Sequence, residues 1–102
     1  MSLHVECGLA RISGGVLDPV ERGGSLQWSE TLAAAATTAN AAPAAPSNDV
    51  AVVFTLTAEV NMFVAIAAAP DATVAGLRRR MRAGQTRSFL APVGVKVAWV
   101  VG

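Results

Sequence analysis

A period of two runs through the second half of this chain and limits what it can fold into. Residues 50–57 read VAVVFTLT, which puts Val50, Val52, Phe54 and Leu56 on one side of an extended backbone and Val53, Thr55 and Thr57 on the other. The pattern repeats over 60–67, with Met62, Val64 and Ile66 on one side, and over 95–101, with Val95, Val97, Trp99 and Val101 aligned. Shorter extended segments fit 77–82 and 86–91. Turn signals separate them: Ala58-Glu59, a loop over 68–76 with Pro70, Asp71 and Gly76, then Ala83-Gly84-Gln85 and Pro92-Val93-Gly94. Residues 25–32 add a sixth segment, in which Leu26 and Trp28 alternate with Gln27 and Ser29. No long stretch carries apolar residues at a spacing of 3.6. The expected class is all-β: a small β-sandwich or partly closed β-barrel of about six strands.

Two regions lie outside that pattern. Residues 1–24 hold Gly14-Gly15, Gly23-Gly24 and Pro19 with only short apolar runs, and read as an extended N-terminal arm leading into a single β-domain over 25–102. Residues 33–48 (AAAATTANAAPAAPSN) read as a connection with room for a short helical turn, since Pro43 and Pro46 stop anything longer.

Composition narrows the functional classes. A chain of 102 residues supports one core. With 53% hydrophobic and 15% charged residues it lies far from disordered compositions and is expected to fold. Much of the apolar fraction is alanine, and Trp28, Phe54, Phe63, Phe89 and Trp99 are the only aromatics, so the core is built from small pieces and gains from assembly with other subunits. A net charge of +1 provides no overall pull toward nucleic acid or an anionic membrane, and neither is expected as a partner. The uncharged stretch 31–48 is broken by Thr37, Thr38, Asn40, Pro43, Pro46 and Ser47 and does not read as a bilayer span. The first residues lack the basic and apolar regions of a signal peptide.

The inventory for catalysis is thin. Cys7 has no second cysteine to pair with, and His4 is the single histidine, so disulfide and metal scaffolds are not expected. The offset of three between His4 and Cys7 lacks an evident orienting group, and Cys7 reads as a plain free thiol. Asp18 and Glu21, the closest acidic pair, flank Pro19 and read as a surface turn. The glycine pairs match neither a phosphate-binding loop nor a dinucleotide fingerprint. No catalytic residue, cofactor or metal is expected.

One feature carries a sign. Arg78, Arg79, Arg80, Arg82 and Arg87 place five of the eight basic residues within ten positions. On a strand, Arg78, Arg80 and Arg82 share a face at roughly 7 Å spacing, while Arg79 joins Leu77 and Met81 on the other. Arg78, Arg80, Arg82 and Arg87 are therefore the candidate partner-binding residues, suited to an acidic protein surface through the guanidinium fork. The plainer alternative is a solvated face, or a charged guard that keeps an edge strand from pairing. Nucleic acid is disfavoured because no aromatic is interleaved with the arginines.

Over 61–99 the chain shows a further pattern: Phe63-Val64-Ala65-Ile66, then Ala69-Pro70-Asp71-Ala72-Thr73-Val74, an arginine-bearing segment, Arg87-Ser88-Phe89-Leu90-Ala91-Pro92-Val93-Gly94, and Val95-Lys96-Val97-Ala98-Trp99-Val100. This resembles the VAIG..P.A … F.VPAG.KVAVI run of small virion proteins encoded among the head and tail genes of tailed bacteriophages and prophages. The resemblance covers about the C-terminal half, with Ala67 where that pattern often has glycine and Val93 where it often has alanine. It implies a compact, non-enzymatic β-domain in the virion, assembled in the host cytoplasm. The expected role is a capsid decoration or head-associated subunit, a fibre base or neck part included, whose partners are sister subunits and the major capsid or other virion proteins. The other expectation is a small β-sandwich binding module for carbohydrate or a partner protein, acting through loops such as 68–76.

Overall fold

The computed structural model describes residues 2–13, 16–19, 26–46, 50–74, 76 and 78–102, with the backbone alone for 11–13 and 16–19. Its strands are β1 (Leu3–Ser13), β2 (Val16–Pro19), β3 (Leu26–Leu32), β4 (Val50–Ala58), β5 (Met62–Ala67), β6 (Arg79–Met81), β7 (Thr86–Leu90) and β8 (Lys96–Val101). All pairings are antiparallel. One sheet has five strands in the order β2-β1-β4-β7, with β3 also on β1; the other has three, β6-β5-β8. The sheets do not close into a barrel, and their apolar faces meet as in a β-sandwich. The all-β expectation holds, and β3, β4, β5, β7 and β8 lie within one or two residues of the segments read from alternation.

Alternation explains the core. Val52, Phe54, Leu56 and Ala58 of β4 are buried against Met62 and Val64 of β5, Met81 of β6, and Val97 and Trp99 of β8. The turns between sheets sit at the glycines expected of them. Gly84 (φ 81°) and Gly94 (φ 87°) adopt the left-handed backbone that a side chain would strain.

Residues 3–13 correct the reading of an arm outside the domain. They are extended, but as β1 they form the middle of the larger sheet, pairing β4 from Leu3↔Ala58 to Arg11↔Val50 along one side. Along the other side they pair β3 and then β2. Leu3, Val5 and Cys7 are fully buried, so this segment supplies part of the only core described. The glycine pairs 14–15 and 23–24 lie outside the described residues.

The described part of the Ala/Thr/Pro connection, residues 33–46, forms no helix. Thr37 and Thr38 are β-branched, Pro43 and Pro46 forbid a long helix, and the segment instead runs as a strap along the outer edge of β8. Trp99 N–H donates to the Ala36 carbonyl (3.2 Å), Thr38 N–H to Val97 (2.8 Å), Ala42 N–H to Val95 (2.8 Å) and Gly94 N–H to Ala42 (2.8 Å). The Thr38 hydroxyl, itself 2% exposed as a residue, accepts from Val97 N–H at 3.1 Å and donates to the Asn40 carbonyl.

Glu30, facing inward from β3, holds the strap from its other side. Its carboxylate accepts from the N–H groups of Ala39 (3.1 Å) and Asn40 (3.0 Å) and from the Asn40 amide (3.1 Å). Partial burial pushes the Glu30 pKa up, but these hydrogen bonds, with the charge of Lys96, outweigh it and leave the carboxyl below its ordinary value. Trp28, packed on Phe54 at 5.5 Å between ring centroids, donates its Nε1–H to the Ala41 carbonyl. Val97 and Trp99 face the core from β8, and Ala98 on the other face is buried as well.

Candidate functional site

The arginines gather at the opposite side of the sandwich, where β6 and β7 are the outer strands of their sheets. β6 is shorter than the expected 77–82 segment: only Arg79–Met81 pair with β5, and Leu77 lies outside the described residues. The expected row of Arg78, Arg80 and Arg82 on one strand face does not form as such. Arg80 stands opposite Phe63 on the outward face. Arg78, just before the strand, lays its guanidinium over the same Phe63 ring at 3.8 Å from the centroid and donates to the Ala72 carbonyl at 3.4 Å. Arg82 lies beyond the strand in the turn, exposed, with its main-chain N–H held by the Gln85 side chain.

Arg87 enters from β7 on the inward face, in register with Leu56. Its guanidinium lies 5.0 Å from the Phe89 centroid and donates to the Arg80 carbonyl at 3.4 Å, so it staples β7 to β6 across the open side. Arg79, which alternation had set apart from the candidates, shares its face with Met81 and brings its guanidinium to 5.2 Å from the same Phe89 ring. Phe89 had no role at this site in the sequence reading. The signal was available in the spacing of two between Arg87 and Phe89, which puts both on one strand face.

Beyond the staple the side of the sandwich stays open. β6 leaves the second half of β5 unpaired on that flank, and a groove of about 720 Å³ opens between the sheets. Val64 and Ile66 form one wall, Phe89 and Leu90 the other, with Arg79 beside them. Among the described residues no carboxylate lies within ion-pair distance of any of the five arginines; Glu6, on the far face of β1, lies 3.4 Å from Nε2 of His4. A guanidinium lying over a ring keeps most of its N–H donors available to a partner, and such contacts contribute about 0.5–1 kcal/mol at exposed sites.

Other polar groups do not converge. Cys7 points into the core, where burial pushes its thiol up to about 11, while His4 lies on the opposite face of β1 bonded to Thr31 at 2.9 Å. They form no nucleophile pair. Asp18 lies in β2 with its side chain outside the described residues, as Glu21 is entirely. Asp71, in the 68–74 loop, is engaged by the hydroxyl and N–H of Thr73, which lower its carboxyl below the ordinary value. Among the described residues no three His, Cys, Asp or Glu side chains come together as metal ligands, and no helix is long and apolar enough to cross a membrane. No known protein family, curated protein or solved structure matches the chain.

Proposed function

We propose that this protein is a non-enzymatic structural subunit of a tailed-bacteriophage particle, a capsid decoration or head-associated component. In this reading the β6–β7 side binds an acidic surface of a shell protein, and other faces meet sister subunits. The observation that carries it is the set of guanidinium groups at one open side of the sandwich with no carboxylate of the described chain to neutralise them. Such a surface gains most from an acidic partner, because charges already paired within the chain would have to be desolvated and exchanged. The C-terminal resemblance to small virion proteins supports the setting.

The carbohydrate reading draws no support from the aromatic side chains. Phe54 and Trp99 are buried, Trp28 is bonded to the strap and packed on Phe54, and arginines cover the faces of Phe63 and Phe89. A sugar platform needs an uncovered ring. Light scattering over a dilution series, at low and raised salt, tests the proposal. A discrete oligomer is expected; a monomer at every concentration would remove the self-assembling virion subunit and leave a single-copy binding module.

A further inference from the structure

The free edge of β7 has a defined polarity. Ala58 N–H donates to the Gln85 carbonyl and Ala91 N–H to the Val52 carbonyl, and both contacts follow the β4–β7 register. In an antiparallel pair, residues that bond a neighbour alternate with residues whose N–H and C=O point away from it. Residues 85, 87, 89 and 91 therefore bond β4, and Thr86, Ser88 and Leu90 direct their main-chain groups outward, where the described residues supply no partner strand. Leu90 is 58% exposed.

This edge borders the groove. A strand laid against β7 places the residue opposite Phe89 on the inward face, above Ile66 and Val64, and the residue opposite Arg87 on the same face, within the reach of Arg87 and Arg79. The groove's walls are apolar there and its nearest charges are unpaired guanidiniums. An aliphatic side chain fits the first position and a carboxylate the second. The residue between them faces Ser88 on the outer side, where Thr55 and Thr57 already bond Ser88 and Thr86 hydroxyl to hydroxyl, so it is small and polar.

We propose that β7 accepts an extended segment of a partner protein as an added strand, and that this segment carries an aliphatic residue and a carboxylate two positions apart. This rests on the reading of the arginine side as a docking surface for an acidic partner. A second copy of this chain is a poor occupant, because pairing β7 with another β7 brings two arginine clusters together with no carboxylate among the described residues beside them. Main-chain bonds at Ser88 and Leu90 would supply affinity, and the groove and guanidiniums would select the sequence.

The test uses the full chain and a palindromic peptide, acetyl-Thr-Glu-Ser-Ile-Ser-Glu-Thr-amide, which presents the same side-chain order in either direction and is expected to add antiparallel, as every strand pair of this fold does. Amide NMR titration is expected to give saturable shifts at Thr86, Ser88 and Leu90, with slowed hydrogen exchange of the Ser88 and Leu90 amides. N-methylation of the two peptide serines, whose N–H groups face β7, is expected to weaken binding at least tenfold; N-methylation of the two glutamates, whose N–H groups face away, is expected to leave it within about twofold. The variants Arg79→Ala and, separately, replacement of the peptide isoleucine by glycine are each expected to weaken it several-fold.

Binding that ignores both N-methylations but falls with salt would overturn strand addition while leaving an acidic docking surface in place. Absence of binding by this peptide and by a plain oligoglutamate would overturn both. Shifts at Ser88 and Leu90 that grow with protein concentration alone would mean self-pairing and would also overturn the proposal.

Discussion

The two sides of this sandwich treat the same hazard in different ways. On one side β8 ends its sheet, and the chain covers that edge with its own strap, bonded to Val95, Val97 and Trp99 and held down by Glu30 and Trp28. On the other side β7 ends its sheet and the described residues leave it uncovered, with Arg79, Arg80, Arg82 and Arg87 around it. An uncovered edge invites pairing with any extended chain, and charge is one of the few ways to make it selective. The strap closes an edge permanently through hydrogen bonds, whereas the arginines close theirs only to partners that bring no carboxylates. Burial follows the same division: Ala98 and Trp99 are covered, and Leu90 is open to solvent.

The largest effect is expected where the covered side depends on one buried hydroxyl. Thr38→Val keeps the volume but leaves Val97 N–H without its acceptor in a site that water does not reach. A buried donor left unsatisfied costs about 1–3 kcal/mol. The urea midpoint should fall by a corresponding amount with an unchanged slope. Thr37→Val, at an exposed position one residue earlier, should shift stability by less than about 0.5 kcal/mol. Equal effects for the two variants would mean the strap is not a built part of the fold.

How visible this was in the sequence differs between regions for physical reasons. The strands after residue 50 were legible because the large side chains face the core while the other face carries small, polar or half-buried ones, so alternation survives in VAVVFTLT and in Met62, Val64 and Ile66. The same signal is present at the start, where Leu3, Val5 and Cys7 alternate with His4, Glu6 and Gly8. The glycine pairs that follow outweighed it in the reading, although glycines beyond a strand say nothing about the strand itself. The strap was not legible. Alanine marks neither face of an extended chain, and its partner, the edge of β8, is set by tertiary packing. At the candidate site, the arginine cluster and the strand β7 could be read; the shortness of β6, which leaves Arg78 ahead of the strand and Arg82 beyond it, depends on where the 68–78 connection ends.

A smaller effect is expected from the Glu30 clamp, and it depends on pH. The Glu30 carboxyl is held below its ordinary value in the folded chain, chiefly against partial burial, by N–H donors of Asn40 and Ala39. A group of this kind stabilises the fold above its unfolded pKa of about 4.3, and that contribution is lost as pH falls through the lower folded value. Glu30→Gln should cost about 1 kcal/mol near neutral pH, a modest figure because the site is largely exposed. The gap between the two proteins should shrink in acid, below the ordinary carboxylate range. Glu59 and Asp71 also have lowered carboxyls, but they are common to both proteins and cancel from the difference. A gap constant with pH would mean that the glutamate acts by shape and not by charge.

The smallest effect on stability is expected on the open side. Arg80→Ser and Arg82→Ser remove exposed guanidiniums that bond nothing in the described chain, and each should change stability by less than about 0.5 kcal/mol. Their value lies in separating two roles that the wild-type chain superimposes. If the arginines only guard the β7 edge, the double variant should associate with itself at concentrations where the wild type does not, and lose no affinity for acidic ligands. If they recruit a partner, affinity for an acidic peptide should fall and its salt dependence should flatten, because fewer charges contribute to the encounter. Arg87 would not separate these roles, since its bond to the Arg80 carbonyl makes it part of the fold. Titrating the double variant with oligoglutamate at two salt concentrations, beside a sedimentation measurement of its mass, thus decides whether the uncovered edge is closed by repulsion or kept open for a carboxylate-bearing strand.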